Sequence, residues 1–410
     1  MSEWKALSSI TSKIGSGSTP RGGNSVYSDS GISFIRSQNV LDMDFSTENL
    51  AFINDNQAEK LNNVIVEKND ILLNITGDSI ARCTVVPEEI LPARVNQHVS
   101  IIRCKNTEES KYVMYYLQYM KKYLLQISKV GGTRNALTKE AIGKLPIKIS
   151  DDCNKISKIL DNIDQKIQIN NQINQELEAM AKTLYDYWFV QFDFPDQNGN
   201  PYKSSGGKMV YNPELKREIP EEWGVDSLWN IANFYNGLAM QKYRPDTNED
   251  DYLPVIKIRE MMNGFTKDTE KARLDIPTEA VVERGDILFS WSATLEVIIW
   301  GKERGALNQH IFKVTSETYP KSFIYFELKS YLKVFKSIAE LRKTTMGHIT
   351  QDHLKQAKIV VPPIELISKL DAKLQPIMSQ QQILENQNQE LTQLRDWLLP
   401  MLMNGQVKVE

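Results

Sequence analysis

The chain lacks the long apolar runs that a membrane protein needs. No stretch approaches the roughly 20 consecutive apolar residues required to cross a bilayer. The first residues, MSEWKALSSI, also lack the basic start and apolar core of a signal peptide. These absences argue against a membrane-spanning protein and predict a cytoplasmic one.

Cysteine and histidine are scarce, with three and four residues in 410. The cysteines form no CxxC pair, so we expect buried thiols rather than disulfides. The histidines are not spaced from one another or from the cysteines like metal ligands, so we expect no metal centre. These residues are Cys83, Cys104, Cys153, His98, His310, His348 and His353.

Catalytic motifs are also missing. The sequence contains no GxGxxG, no P-loop, no HExxH and no Asn/Asp-Pro-Pro-aromatic motif of adenine methyltransferases. Residues 361–364, Val-Pro-Pro-Ile, resemble the last motif only superficially. Gly15-Ser16-Gly17 is half of a nucleotide-binding fingerprint and is better explained as a flexible loop. We therefore predict a protein with no catalytic residues.

Positive charge is concentrated in two regions, although the formal net charge is −3. Residues 82–135 contain nine Lys or Arg against four Glu, and residues 302–358 contain eleven against five acidic residues. Two separated basic regions are what two DNA-facing surfaces require. Lysine-rich, solvated helix faces are the alternative explanation.

An internal duplication is the strongest pattern in the sequence. Residues 96–99, Asn-Gln-His-Val, return 212 residues later as Asn-Gln-His-Ile at 308–311. The same offset relates Leu137-Thr138 to Ile349-Thr350, and residues 69–72 resemble residues 285–288. Each half is therefore one copy of the same module, with loops of different length on a shared frame.

Each copy combines short strands with helices, which predicts a mixed α/β (α+β) class. Apolar runs separated by Gly, Asn, Asp and Pro predict strands at 32–36, 64–66, 71–75 and 99–103. Residues 112–127 and their counterparts 323–338 have the apolar spacing of an amphipathic helix.

A heptad pattern follows each copy and predicts two coiled-coil helices. Intramolecular antiparallel pairing satisfies both seams; packing on the helix's own domain, or on a second copy of the chain, is the alternative. Asn170 and Asn388 are the type of polar seam residue that fixes register. We expect Pro376 to kink the second helix or delay its start. The first seam is Ile156, Ile159, Ile163, Lys166, Asn170, Ile173, Leu177, Met180, Leu184 and Tyr187. The second is Ile367, Leu370, Leu374, Ile377, Gln381, Leu384, Asn388, Leu391, Arg395 and Leu398.

Several ordered motifs resemble the specificity subunits of type I restriction-modification enzymes, and the resemblance spans the whole chain. The junction of the two copies carries the most specific ones: an aromatic helix exit, an FxFP element, a glycine pair and an IPxxW opening. The second copy departs from the pattern, because Gly237-Leu238-Ala239 replaces GxTP and Thr344-Thr345 replaces a glycine pair. The matching segments are residues 17–20, 131–133, 185–189, 192–195, 206–209, 219–223 and 285–288.

The resemblance implies an architecture and partners. It implies two similar α/β target-recognition domains, at 1–150 and 223–363, separated by a long antiparallel coiled-coil pair in a pseudo-two-fold repeat. The helices are expected at 151–191 and 364–404, with a linker at 192–222. Each domain would bind half of a bipartite site in double-stranded DNA. Two methyltransferase subunits using S-adenosylmethionine, and motor-nuclease subunits using ATP and Mg²⁺, would be the partners; this chain would hold no cofactor.

Loop residues with hydrogen-bonding side chains are the candidates for DNA contact. Arg134 and Asn135 suit guanine and adenine edges, and the Gly131-Gly132 backbone suits approach to a phosphate. In the first copy the candidates are Thr19, Arg21, Thr76, Arg82, Asn96, Gln97, His98, Lys129, Thr133, Arg134 and Asn135. In the second they are Tyr243, Arg244, Arg259, Ser290, Ser292, Asn308, Gln309, Arg342, Lys343, Thr344, Thr345 and His348.

Other readings of these residues stay open. The two Asn-Gln pairs could cap strands instead of contacting bases, the glycines near 131 could form an ordinary loop, and Trp291 could be a core residue. For the whole chain, an autonomous DNA-binding regulator or an interaction scaffold built on the helix pair is the rival hypothesis.

Overall fold

The computed structural model describes residues 3–20, 22, 26–129, 135–246, 251–341, 348–407 and 409. It divides into two compact units: unit 1 comprises Met1–Gln168 and Gln389–Glu410, and unit 2 comprises Ile169–Asn388. Each unit contains part of both long helices, and the domain boundaries given above stay a prediction. Within the described ranges, no helix is both long and apolar enough to cross a membrane.

Unit 1 is a mixed α/β structure, as the sequence predicts, and the four predicted strands lie within one residue of their expected bounds. Its strands are β1 (Glu3–Ala6), β2 (Thr11–Ser16), β3 (Tyr27–Ser28), β4 (Ile32–Ile35), β5 (Ala51–Ile53), β6 (Ile65–Val66), β7 (Ile71–Asn74), β8 (Cys83–Val85), β9 (Ala93–Val95), β10 (Val99–Cys104) and β11 (Pro146–Ile149). Its helices are α1 (Leu7–Ile10), α2 (Asp55–Glu59), α3 (Ser110–Tyr119), α4 (Lys121–Ile127) and α5 (Lys139–Gly143). The helix predicted at 112–127 is thus interrupted at Met120. All three cysteines are buried and free, as expected.

Two long helices extend through parts of both units: α6 (Cys153–Tyr185) and α11 (Ile364–Asn404). The remaining strands of unit 2 are β12 (Met209–Asn212), β13 (Arg217–Pro220), β14 (Gly224–Ser227), β15 (Asn233–Asn236), β16 (Leu253–Ile256), β17 (Lys271–Ala272), β18 (Val281–Val282), β19 (Ile287–Ser290), β20 (Glu296–Ile299), β21 (Gly305–Leu307), β22 (Ile311–Thr315) and β23 (Lys358–Val361). Its other helices are α7 (Leu228–Ile231), α8 (Ile258–Asn263), α9 (Lys321–Leu341) and α10 (Gln351–Gln356).

The sheets repeat from one unit to the other, which confirms the duplication. Unit 1 has the order β2-β10-β7-β8 and unit 2 has β15-β22-β19-β20. A second sheet contains β5-β4-β9-β6 in unit 1 and β17-β16-β21-β18 in unit 2, each with one parallel pair. The strand register shows which residues of the two units are equivalent. Ile71 pairs with Ile102 in unit 1, and Ile287 pairs with Val314 in unit 2. Ile71 therefore corresponds to Ile287, and Ile102 corresponds to Val314.

The long helices run antiparallel within each unit, as predicted. In unit 1, Arg395 Nη1 lies 2.8 Å from Asp164 Oδ1. In unit 2, Asn170 contacts Asn388 and Glu178 contacts Gln381, so residue numbers rise on one helix as they fall on the other. Every predicted seam position of α11 is buried or half-buried. Each seam is therefore satisfied inside the chain.

Alternate seam positions in α6 were predicted one residue too early. Leu160 and Ala181 are fully buried, whereas Ile173 and Met180 are 39% and 57% exposed. Ile159 and Leu160 are both apolar, so residue type does not show whether the seam advances by three or by four residues from Ile156. The burial of Leu160 shows that it advances by four. The corrected positions are Leu160, Ile167, Asn174, Ala181 and Trp188, in place of Ile159, Lys166, Ile173, Met180 and Tyr187.

The expectation that Pro376 delays the second helix is wrong. The helix α11 begins at Ile364 and continues through Pro376. A proline inside a helix loses a backbone hydrogen bond and clashes with the preceding turn. Buried Ile367, Leu370 and Leu374 lie in the turns just before it, so burial of the apolar seam outweighs that local cost.

Polar groups occupy several layers of the helix pair. The fully buried Asn170 donates from Nδ2 to Asn388 Oδ1 at 2.9 Å, and Asn388 donates to Asn171 Oδ1 at 2.8 Å. In unit 1, Asp164 accepts hydrogen bonds from Arg395 and from the Tyr115 hydroxyl. Burial raises the pKa of the Asp164 carboxyl although a guanidinium lies beside it.

The junction motifs form an aromatic cluster in unit 2. Phe189, Phe192 and Phe194 surround Trp223, with ring centroids 5.7, 5.4 and 5.1 Å from it. A β-carbon at Gly207 would overlap the Tyr202 ring, which explains the glycine of that motif. The aromatic motifs of the sequence therefore build the core of unit 2 just after the end of α6.

The Asn170–Asn388 pair predicts a non-additive stability response. Asn170→Leu leaves the Asn388 Oδ1 atom without its donor, which costs about 1–3 kcal/mol. The double variant Asn170→Leu, Asn388→Leu replaces the layer by apolar side chains and is expected to be at least as stable as the native protein. Urea unfolding of the native chain and the single and double variants measures this. A double variant less stable than Asn170→Leu would contradict the assignment.

Candidate DNA interface

Four loop segments meet at the strand ends of each unit. Loop cluster 1 comprises residues 17–20, 75–77, 96–98 and 135–137. Its segments are joined by backbone hydrogen bonds from Gly17 N to Val99 O (3.0 Å), Ile75 N to His98 O (2.9 Å) and Leu137 N to Ile75 O (2.9 Å). The sequence placed these segments up to 120 residues apart, and the sheet order brings them together.

Unit 2 contains the same arrangement, loop cluster 2, at residues 237–239, 291–293, 308–310 and 348–349. Gly237 N donates to Ile311 O (3.1 Å), Trp291 N to His310 O (3.3 Å) and Ile349 N to Trp291 O (2.8 Å). Trp291 is therefore the structural equivalent of Ile75, and His310 is the equivalent of His98. The two clusters share one backbone frame and the Asn-Gln-His run at 96–98 and 308–310, and they differ at other positions such as Ile75 and Trp291.

A glycine is required at the same point of each frame. A β-carbon at Gly17 would overlap the carbonyl oxygens of Val95 and Asn96, and one at Gly237 would overlap those of Leu307 and Asn308. Residues 237–239 depart from the GxTP pattern because the Thr-Pro pair is missing. The structure shows that the glycine alone keeps this role.

Loop cluster 1 is a connected set of polar side chains. Thr76 Oγ1 lies 2.6 Å from His98 Nδ1, and Gln97 Nε2 lies 3.0 Å from His98 Nε2. The Thr19 hydroxyl donates to Gln97 Oε1. Thr19 and Gln97 are exposed, whereas Asn96 is buried and accepts from its own turn at His98 N (3.1 Å). Asn96 thus shapes the loop, and the other four side chains present its polar surface.

Loop cluster 2 combines polar groups with aromatic rings. Gln309 Nε2 lies 3.5 Å from His310 Nε2. The half-buried Ser292 pairs with His348 through the backbone, in a single antiparallel β-bridge. The Trp291 ring lies 5.5 Å from His310. Asn308 is buried, like Asn96.

Ser290 lies beneath loop cluster 2 and does not reach the surface. It is fully buried, and its hydroxyl donates to the Thr294 carbonyl oxygen and accepts from Glu296 N at 2.9 Å. Its hydrogen-bonding groups are used to hold the turn between β19 and β20.

Other candidates lie on neighbouring loops. The Arg259 guanidinium is bound to the buried Glu260 carboxylate at 2.8 and 2.6 Å, so its charge is partly neutralised. Lys129, Asn135 and Arg244 are exposed, and Arg82 and Tyr243 are half-buried. The candidates Arg21, Thr133, Arg134, Arg342, Lys343, Thr344 and Thr345, and the glycines 131 and 132, lie outside the described residues.

Several of the basic side chains counted in the sequence form ion pairs or hydrogen bonds within the units. Arg103 forms two 2.8 Å hydrogen bonds with the buried Asp70, and the buried Arg94 donates to the Ala58 carbonyl oxygen. Lys329 and Lys336 both pair with Glu296. Charge counting therefore overstates the cations available to a phosphate backbone. Across the described part of the chain, no group of three or more His, Cys, Asp or Glu side chains is placed to hold a metal ion.

Comparisons with known proteins match both units. Residues 2–179 and 220–393 match the family described as "Type I restriction modification DNA specificity domain". The MjaIX specificity subunit of Methanocaldococcus jannaschii is 27% identical over 339 residues, which cover 78% of this chain and 74% of that protein. The HindI specificity subunit of Haemophilus influenzae is 24% identical over 334 residues, covering 67% and 72%. The crystal structure of the type I system S subunit from M. genitalium shares the fold, with TM-score 0.55, 13% identity and coverage of 98% and 96%.

The close backbone approach at Gly17 predicts a sharp difference between two glycines of one segment. Gly17→Ala forces the loop away from Val95 and is expected to cost about 1–3 kcal/mol. Gly15→Ala is the matched control, because no atom lies within 4 Å of its added carbon; its effect should stay within about 0.5 kcal/mol. Chemical unfolding of the three proteins tests this, and equal stabilities for the two variants would refute the steric argument.

Proposed function

Because the chain belongs to the family of type I restriction-modification DNA specificity proteins, we propose that each loop cluster binds one half of a bipartite DNA target. The family match confirms the prediction of a DNA specificity subunit rather than a catalytic one. The observation that carries the bipartite proposal is the repeated frame: one backbone arrangement is present twice, with side chains that differ at positions such as Ile75 and Trp291. Two loop clusters with the same backbone and partly different side chains suit two different half-sites.

The chemistry of the loop clusters suits base edges. Gln97 and Gln309 hold equivalent positions, and a glutamine can bond an adenine edge through two hydrogen bonds. Thr76 and Ser292 are also equivalent, and their hydroxyls can donate or accept. The residues that distinguish the clusters, such as Ile75 and Trp291, would then distinguish the half-sites.

We propose further that α6 and α11 set the spacing between the half-sites. The seam of α11 is continuous from Ile367 to Leu398, and polar layers at Asp164 and Asn170 oppose sliding of one helix along the other. For both clusters to face the same side of the duplex, the half-sites should lie about one helical turn apart.

The partners follow from the same proposal. Two modification subunits would bind the helix pair and methylate adenine N6 with S-adenosylmethionine, and motor-nuclease subunits would use ATP and Mg²⁺ in the cytoplasm. Apolar side chains on the outer face of α6 support a protein contact there: Ile169, Ile173 and Met180 are 48%, 39% and 57% exposed. Exposed apolar stripes of this kind are typical of interaction surfaces.

Mapping of methylated adenines tests the bipartite proposal. The chain is co-expressed with a modification subunit of its own system in a methylation-free host, and the genome is mapped by single-molecule sequencing. We expect a split motif. Gln309→Ala should alter or abolish recognition in one half only, and Gln97→Ala, the matched variant, in the other half only. A continuous motif, or changes in both halves from one variant, would refute the assignment.

Lengthening the helix pair tests the spacing proposal. Inserting one heptad into α6 after Asn170 and one into α11 before Asn388 adds roughly 10 Å at 1.5 Å per residue. Because a base pair rises about 3.4 Å along the duplex, the spacer should grow by about three base pairs. Methylation should be weaker, because three base pairs also rotate one half-site by roughly 100° about the duplex axis. The same adenine mapping reads the result. Altered half-sites with an unchanged spacer would show that the helices do not set the distance.

A further inference from the structure

Trp291 is the residue at which the two loop clusters differ most. Its equivalent in unit 1 is Ile75, which is 9% exposed and closes the core beneath loop cluster 1. Both residues are held between the same two backbone hydrogen bonds. Trp291 is half-buried, so the larger side chain extends from the shared position toward the loop surface.

The indole is the outer end of a series of rings that begins in the core. Phe335 lies 5.8 Å from Phe289, Phe289 lies 6.3 Å from Phe312, and Phe312 lies 5.9 Å from Trp291. His310 flanks Trp291 at 5.5 Å. In unit 1, register places Leu73 and the buried Ser100 at the positions of Phe289 and Phe312. The ring series is therefore particular to unit 2.

The indole N–H of Trp291 already has a hydrogen-bond partner within unit 2. Trp291 Nε1 donates to Asn236 Oδ1 at 3.0 Å. The remaining surface of the side chain is hydrocarbon, so Trp291 offers an approaching ligand an apolar contact rather than a hydrogen bond. Packing and hydrogen bonding also restrict the ring, which reduces the conformational entropy lost on binding.

The major-groove edge of DNA carries one prominent apolar group, the 5-methyl of thymine. We propose that Trp291 contacts the 5-methyl group of a thymine in the half-site bound by loop cluster 2, and so specifies a T·A pair there. This inference rests on the proposed function. It also implies that unit 1, with Ile75 at this position, makes no equivalent contact.

Replacing thymine by deoxyuridine removes only the methyl group and tests the inference directly. Once adenine mapping has identified the half-site, duplexes carrying deoxyuridine at each of its thymines in turn are titrated with the full chain and its modification subunits. At fixed salt, we expect one replacement to weaken binding about fourfold, the value for burying one methyl-sized group. Trp291→Ile should weaken binding to the thymine duplex similarly and abolish the deoxyuridine effect.

Two further variants control the experiment. Trp291→Phe keeps an apolar ring and should retain the deoxyuridine effect, and Trp229→Ile removes a tryptophan of the same unit that stacks on Phe234 outside loop cluster 2. Ile is the natural residue at the equivalent position of unit 1, which favours a folded Trp291→Ile variant. A half-site without thymine, no deoxyuridine effect, or an effect that persists in Trp291→Ile would overturn the inference. Absence of any split methylation motif with the native chain would instead overturn the proposed function.

Discussion

The loop clusters depend on a backbone approach that leaves no room for a side chain. In unit 1 the chain leaving β2 passes against the carbonyl groups of Val95 and Asn96, and only a glycine fits at position 17. That approach places Thr19 beside Gln97, and the hydrogen bonds of Ile75 then bring in the remaining loops. Without the approach, residues 17–20 would not meet residues 96–98, and the composite surface would lose one of its four segments.

The same constraint recurs at Gly237, and this explains how one frame can present two chemistries. Backbone groups make the bonds that join the loops, so the side chains at positions such as 76, 97, 292 and 309 are not needed to hold them together. Asn96 and Asn308 are buried at equivalent positions, and the Asn96 side chain shapes its loop by accepting a hydrogen bond from His98 N. The frame therefore does not depend on its surface side chains, which differ between Thr76 and Ser292 and are the same at 97 and 309.

Long-range patterns in the sequence predicted the fold well, and local side-chain roles less well. The duplication and the α11 seam extend over many residues, so single ambiguities do not change them. The α6 seam failed at alternate positions because Ile159 and Leu160, or Met180 and Ala181, are both acceptable in a helix, and only the partner decides which is buried. The roles of Asn96, Ser290 and Arg259 depend on neighbours that sequence distance conceals.

A helix pair that sets a distance needs a single register more than it needs maximal stability. An entirely apolar seam tolerates sliding by whole heptads, since each layer resembles the next. The layers at Asn170 and Asp164 oppose this, because sliding would leave a buried amide without Asn388 and a buried carboxylate without Arg395. Burying such groups costs free energy even when they are paired, as the raised pKa of Asp164 indicates. The spacing proposal accounts for this cost, because a spacer of fixed length requires a single register between the two helices.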